Sequence, residues 1–183
     1  ITLPIPKNTS KQADLMKNPA INPEDWKKIV DYERDEWKME PKENIYKKQG
    51  WYFRNVFHHF ILFAKNSGMS PEEILKLKWK QIEIIDEGRL NSKDEMVSWE
   101  VAYVRTIRSK TQQPREIPVH QARELRRWKQ FMEEYMEENN FLDRTITKED
   151  CVFGNIHHHF RPYSYKYYST SWREVRRKLK GRL

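Results

Sequence analysis

The chain has 183 residues and a formal net charge of +8, with a sequence pI of about 9.4. This length allows one ordinary domain with a substantial core. Its 7 Trp, 9 Tyr and 8 Phe supply bulky apolar groups that a disordered chain lacks. A single cysteine, Cys151, excludes a disulfide framework and a multi-thiolate metal site. No apolar run approaches the ~18 residues of a membrane span, and the charged start does not resemble a signal peptide. We expect a folded, soluble domain.

The first half of the chain carries clear signals for helix ends. Residues 1–20 contain several Pro and Asn residues without sustained periodicity and are interpreted as an incoming linker, which leaves 21–183 as the domain. Asn22 is a predicted N-cap followed by Pro and two acids. A second helix is predicted over residues 45–66, ending at Gly68. Ser70 and Glu73 form a capping box at the start of a third helix.

The pattern changes to strands after Trp79. Alternating apolar residues predict a short strand near Ile82 and a longer one over residues 98–109, with turns expected at 86–88 and 91–92. A further turn at residues 110–114 leads to a return strand over 115–119. Pro118 in that strand is typical of a sheet edge. The sequence therefore predicts a small three-stranded antiparallel sheet.

The remainder of the chain is again mainly helical. Apolar spacing predicts a helix over residues 121–139, followed by a loop at 151–154 and an aromatic, basic stretch over 157–168. The last helix is expected to open with a capping box formed by Ser171 and Glu174. The fold class predicted for the whole domain is α+β, mainly helical.

Two segments carry motifs that are known to occur together. In residues 67–82, SGMSPEEILKLKWKQI, a predicted helix ends at Gly and a Glu-containing helix leads to Trp. In residues 109–119, SKTQQPREIPV, Lys-Thr precedes a polar turn and a strand. The first segment resembles the box of the tyrosine recombinase (phage integrase) family in which an Arg follows the Gly, and the second resembles that family's second hairpin. The order of the predicted elements agrees with the family over about residues 20–183.

The resemblance implies a fold similar to that family's catalytic domain and a chemistry of DNA cleavage and rejoining. In this family a Tyr attacks the phosphate and forms a 3′-phosphotyrosine, two Arg stabilise the developing charge, and a Lys protonates the departing oxygen, without metal or other cofactor. By this resemblance Lys110 is the general acid, and Gly68 and Glu73 support the site. Ser70 occupies the position of the first catalytic Arg.

The chain departs from the family in two respects. Ser70 cannot offer a cation to phosphate, and its capping role explains it as well; either the chain is a degenerate member or the Arg was removed deliberately. The family's His-x-x-Arg box and nucleophilic Tyr are expected beyond Leu183, so we expect residues 1–183 to be catalytically inactive. The tyrosines at 163, 165, 167 and 168 precede that box and are interpreted as loop packing or phosphate contacts.

Basic residues cluster where the family contacts DNA. The last helix places six bases against one acid, Glu174, which favours phosphate contacts. The residues expected to contact DNA are Lys76, Lys78, Lys80, Arg105, Arg108, Thr111, Arg173, Arg176, Arg177 and Lys180. The expected partners are double-stranded DNA and, on paired sites, further copies of the protein, with no membrane partner. A phage or mobile element in a bacterial cytoplasm, at the nucleoid, is the expected setting.

Three alternatives remain open at this point. The chain could be a non-catalytic DNA-binding protein that retains a degenerate recombinase fold, or a protein-interaction domain whose charge only solvates its surface. The triplet of histidines at 157–159 could hold a metal, but adjacent histidines on an extended segment point to opposite sides and no carboxylate completes a ligand set. We therefore expect no metal.

Overall fold

The computed structural model of the protein describes residues 21–38, 45–90, 95–108, 111–141 and 143–180. More of these residues lie in helices than in strands, and the longest strands form one antiparallel sheet, which confirms the α+β class. The predicted linker, residues 1–20, lies outside the described ranges.

The first three helices begin and end close to the predicted positions. Helix α1 (Pro23–Tyr32) is capped by Asn22, whose Oδ1 accepts a hydrogen bond from the Asp25 N–H at 2.7 Å. It continues into a π-helical segment, Glu33–Trp37. Helix α2 (Ile45–Ser67) ends at Gly68, which takes the left-handed φ of +61° that favours glycine. Helix α3 (Pro71–Leu75) follows at once.

The predicted sheet is confirmed, but its first strand is longer than expected. Strands β1 (Ile82–Leu90), β2 (Met96–Ile107) and β3 (Pro114–Val119) pair in that order. The prediction of a turn at 86–88 was wrong, because β1 passes through these residues and Gly88 pairs opposite Ser98. The backbone pairing offered by β2 outweighs the local turn preference of Asp-Glu-Gly. Pro118 lies in the edge strand β3, as predicted.

The C-terminal half contains two long helices joined by a compact segment. Helix α4 (Ala122–Glu138) agrees with its prediction. Short strands β4 (Gly154–Asn155) and β5 (Arg161–Pro162) then pair around a 3-10 turn. Helix α5 (Tyr165–Leu179) completes the described fold.

The predicted start of the last helix was wrong. Helix α5 begins with Ser164 as its N-cap, whose Oγ accepts from the Lys166 N–H, and Ser171 lies buried within the helix. The helix extends further towards the N-terminus because Tyr168 continues the buried stripe of Val175 and Leu179 by a further two turns. A Ser-x-x-Glu pattern inside a helix therefore resembled a helix start.

Helix α2 lies at the centre of the core and aromatic rings surround it. Tyr52, Trp128 and Phe153 are all fully buried. Two long-range hydrogen bonds join this cluster to the start of β4 and the residues before it: Trp128 Nε1 donates to the Val152 carbonyl at 2.6 Å, and the Tyr52 hydroxyl donates to the Gly154 carbonyl at 3.0 Å. These bonds satisfy polar groups that burial would otherwise leave without partners.

Candidate nucleic-acid interface

Ser70 acts as the N-cap of α3, with the reciprocal geometry of a capping box. Its Oγ accepts from the Glu73 N–H at 3.4 Å, and its own N–H donates to Glu73 Oε2 at 2.8 Å. The predicted capping role of Ser70 is therefore confirmed. The position where the resemblance expects a cation holds a neutral hydroxyl that is already engaged by the backbone.

Glu73 also binds a cation from a distant part of the sequence. Its side chain is 5% exposed, and its Oε2 lies 2.8 Å from Nη2 of Arg115 in β3. The two residues are separated by 42 positions. Sequence analysis did not single out Arg115, although a buried acid such as Glu73 requires a partner.

The turn between β2 and β3 presents exposed polar side chains. Arg108 and Thr111 are both exposed there, and the Arg108 N–H donates to the Gln113 carbonyl at 2.9 Å. Lys110, the expected general acid, lies outside the described residues, so its position relative to Ser70 is not part of the described geometry.

Three of the cations expected to contact DNA are instead engaged by acids. Lys78 and Lys80 both pair with Glu149, at 3.0 and 2.9 Å. Arg105 pairs with Glu83 and Glu116, each at 2.7 Å. An exposed pair of this kind contributes little to folding, but it offsets the positive potential that a phosphate would meet. This compensation makes Lys78, Lys80 and Arg105 less suited to phosphate contact than their spacing suggested.

The exposed face of α5 carries cations that lack this compensation. Among the described residues, none of its basic side chains forms an ion pair with an acid, in contrast to Lys78, Lys80 and Arg105. The set, called the α5 basic face below, comprises the exposed side chains that share one side of the helix and its C-cap: Arg173, Arg176, Arg177 and Lys180. Arg173 is held locally, since its Nε donates to the Ser169 carbonyl at 3.3 Å.

The α5 basic face and the Ser70 capping box lie on elements that touch. Helix α3 packs against both α2 and α5. Lys76, which follows α3 directly, is exposed and has no ion pair within the described ranges. The fold therefore brings the segment from Gly68 to Lys76 close to helix α5, although the two are far apart in sequence.

Of the four candidate tyrosines, Tyr168 is buried, Tyr163 is partly buried and the other two are exposed. Burial raises the pKa of Tyr163 and of Tyr168 well above the usual tyrosine value, which is opposite to what a nucleophile needs. Both rings pack against Phe53, at 4.8 and 5.8 Å between centroids. Tyr165 and Tyr167 are more than half exposed. Packing therefore explains the first two.

The histidine triplet shows no ligand geometry. His157 Nε2 lies 3.1 Å from the Tyr135 hydroxyl, and burial lowers the pKa of His157. Within the described ranges no group of three or more His, Cys, Asp or Glu residues could hold a metal ion. None of the described helices is both long and apolar enough to cross a membrane.

Comparison of the chain with protein families, with curated proteins and with solved structures found no match.

Proposed function

We propose that this domain binds double-stranded DNA and that the α5 basic face is its principal contact with the phosphate backbone. The observation that carries the proposal is the concentration of four exposed cations, none of them in an ion pair within the described residues, on one side of α5 and its C-cap. Lys and Arg side chains that meet phosphates release condensed counterions, and this release drives binding regardless of sequence. The opposite face of the helix is anchored in the core by Tyr168, Val175 and Leu179, so the cations have a rigid support.

The type of DNA-binding domain that fits best is the catalytic domain of a tyrosine recombinase. Support comes from residues 67–82, which resemble the family's first box and contain the helix start at Ser70. The β2–β3 hairpin that follows and the packing of α3 against α5 support it as well. In that reading the domain holds duplex DNA, and Lys110 serves as general acid to the departing oxygen. Recombinases act as multimers on paired sites, and self-association on DNA belongs to the same proposal.

A non-catalytic DNA-binding protein with the same fold is the second candidate. Ser70 favours it, because its hydroxyl and N–H are both committed to the cap and neither can replace a guanidinium at a phosphate. A longer form of the protein, extended past Leu183 through the nucleophilic Tyr that the resemblance implies, would separate the two candidates, since only a recombinase would form a covalent protein–DNA adduct on a nicked duplex.

Salt-dependent duplex binding tests the proposal. We expect the chain to bind a random-sequence duplex of 40 base pairs with an affinity that falls steeply as salt rises. The double substitution Arg176→Gln and Arg177→Gln removes two cations from the α5 basic face. It should lower the slope of log K against log salt by about two, at ~0.9 per phosphate. Fluorescence anisotropy over a salt series gives both quantities.

Helix α4 provides a matched control. Arg126 and Arg127 are exposed but paired with Glu100 and Glu124, at 2.8 and 2.7 Å. Changing both to Gln removes the same charge and should leave the slope as in the wild type. An equal loss in both double variants would show that net charge alone drives binding. Absence of salt-dependent binding by the wild type would instead support a protein-interaction domain.

A further inference from the structure

Arg115 uses only part of its hydrogen-bonding capacity. A guanidinium offers five N–H donors in a rigid fork, and the contact within the described residues is the one from Nη2 to Glu73. Its Nε is enclosed and has no hydrogen-bond partner. The side chain is still 27% exposed. The enclosed Nε is out of reach of a ligand, and the exposed part of the side chain is what an anion from solvent would meet.

The position of Arg115 is fixed by the Ser70 capping box. Glu73 Oε2 accepts from the Ser70 N–H and from Arg115 Nη2, both at 2.8 Å. One carboxylate oxygen therefore joins the helix start to the guanidinium. The Glu73 side chain is nearly inaccessible to solvent, and its contact with Nη2 holds the Arg115 guanidinium in one orientation. The part of the guanidinium that faces solvent is left for an anion.

A groove of about 540 Å³ lies beside this arrangement. Arg115, Arg105 and Gln81 line it together with the ends of β2 and β3. The two arginines differ in their partners: Arg105 is engaged by two carboxylates, Glu83 and Glu116, whereas Arg115 is engaged by one. Both guanidinium groups keep free N–H donors, but the charge of Arg115 is offset by one carboxylate and that of Arg105 by two, so Arg115 is the better anion contact of this groove.

We propose that Arg115 binds a phosphate of the DNA backbone and supplies, from β3, the cation that Ser70 does not supply from α3. This inference rests on the proposed DNA-binding function and names a residue of that same surface. Guanidinium and phosphodiester form charge-assisted, often bidentate hydrogen bonds. Glu73 is the positioning residue, since it touches Arg115 and not the phosphate.

The substitution Arg115→Gln tests this directly on the whole chain, with the same random-sequence duplex. We expect the salt slope to fall by about one and the affinity at low salt to fall roughly tenfold, as the loss of one phosphate contact predicts. Arg115→Lys should keep most of the slope, because the charge remains, but should recover only part of the affinity. Arg126→Gln, which also breaks one Arg–Glu pair, should match the wild type.

A second comparison covers the case in which Arg115→Gln leaves Glu73 as an unpaired buried charge and unfolds the chain. Glu73→Gln keeps an oxygen that accepts from the Ser70 N–H and removes the charge. The double variant Glu73→Gln, Arg115→Gln should then show a slope lower by about one than Glu73→Gln alone.

The outcomes separate the two proposals. If the wild type binds duplex with a clear salt slope and every folded variant without Arg115 keeps that slope, Arg115 is a structural partner of Glu73 and the inference is wrong. If the wild type shows no salt-dependent binding, the proposed DNA-binding function itself fails.

Discussion

At the scale of single residues, Gly154 lies where the chain returns on itself. A Cβ at this position would lie 2.3 Å from the Phe160 carbonyl oxygen, closer than real Cβ contacts allow. His159 and Phe160 have left-handed φ values of 52° and 54°, which cost free energy in residues other than glycine. The obstructing oxygen belongs to the backbone, so it cannot rotate away as a side chain could. The Phe160 N–H also donates to the Asn155 carbonyl at 2.9 Å, which fixes this part of the backbone.

Two glycine substitutions should therefore change stability in opposite directions. We expect Gly154→Ala to lower the free energy of unfolding by about 2 kcal/mol or more, because the β4–β5 backbone must shift. Gly50 lies in α2 with no atom within 4 Å of an added Cβ, so Gly50→Ala should raise it by about 0.5–1 kcal/mol. Urea unfolding followed by circular dichroism measures both. A tolerated Gly154→Ala would contradict the close approach.

At the scale of elements, the Ser-x-x-Glu pattern has different meanings at Ser70 and at Ser171. At Ser70 it starts a helix, because Gly68 ends the previous one and Pro71 occupies the first helical position. At Ser171 no stop signal precedes it, and the buried stripe of α5 runs through the site. Helices and strands with strong periodicity could be predicted from the sequence. The boundary at Ser164 could not, because it depends on tertiary burial of Tyr168.

The two serines of α5 should respond differently to alanine. Ser164→Ala removes the N-cap acceptor for the Lys166 N–H and should cost about 1 kcal/mol of stability. Ser171→Ala places a better helix former within the helix and should stay within about 0.5 kcal/mol of the wild type. Thermal unfolding by calorimetry would rank them. The reverse ranking would show that the helix starts at Ser171 in solution.

At the scale of the whole molecule, ionisable pairs join segments that are distant in sequence. His58 of α2 lies 3.2 Å from Glu33 of the π-helical segment, and both side chains are almost fully buried. Burial raises the pKa of Glu33 to about 8 and lowers that of His58 to about 3, so near neutral pH the Glu33 carboxyl is protonated and donates to a neutral imidazole. Neither this pair nor that of Glu73 with Arg115 follows from periodicity or local spacing, because each depends on how the elements pack.

The two buried groups make stability depend on pH in opposite directions. The unfolded chain loses the Glu33 proton above about pH 4.5 while the folded chain keeps it up to about pH 8, so this group lowers stability as pH rises across that interval. His58 lowers stability as pH falls below about 6.5, since only the unfolded chain takes up its proton there. Between about pH 6.5 and 8, Glu33 acts alone.

Replacing Glu33 with Gln should remove the loss above pH 6.5. Gln imitates the neutral acid, so the variant should gain stability over the wild type by up to ~1.4 kcal/mol for each pH unit between 6.5 and 8. Chemical unfolding at pH 6, 7 and 8 gives the difference. Glu36→Gln changes an exposed acid of the same π-helical segment and should show no such trend. A parallel trend in both variants would contradict the buried, protonated Glu33.

The burial of Cys151 gives the chain an internal reporter of its own opening. It is the single cysteine of the sequence, it is 7% exposed, and burial raises the pKa of its thiol. Because thiol reagents attack the thiolate, alkylation of the intact protein requires the segment around β4 to separate from Lys78, with which Cys151 forms a β-bridge. The labelling rate under native conditions therefore reports how often the contact between Lys78 and Cys151, which joins the two halves of the chain, opens.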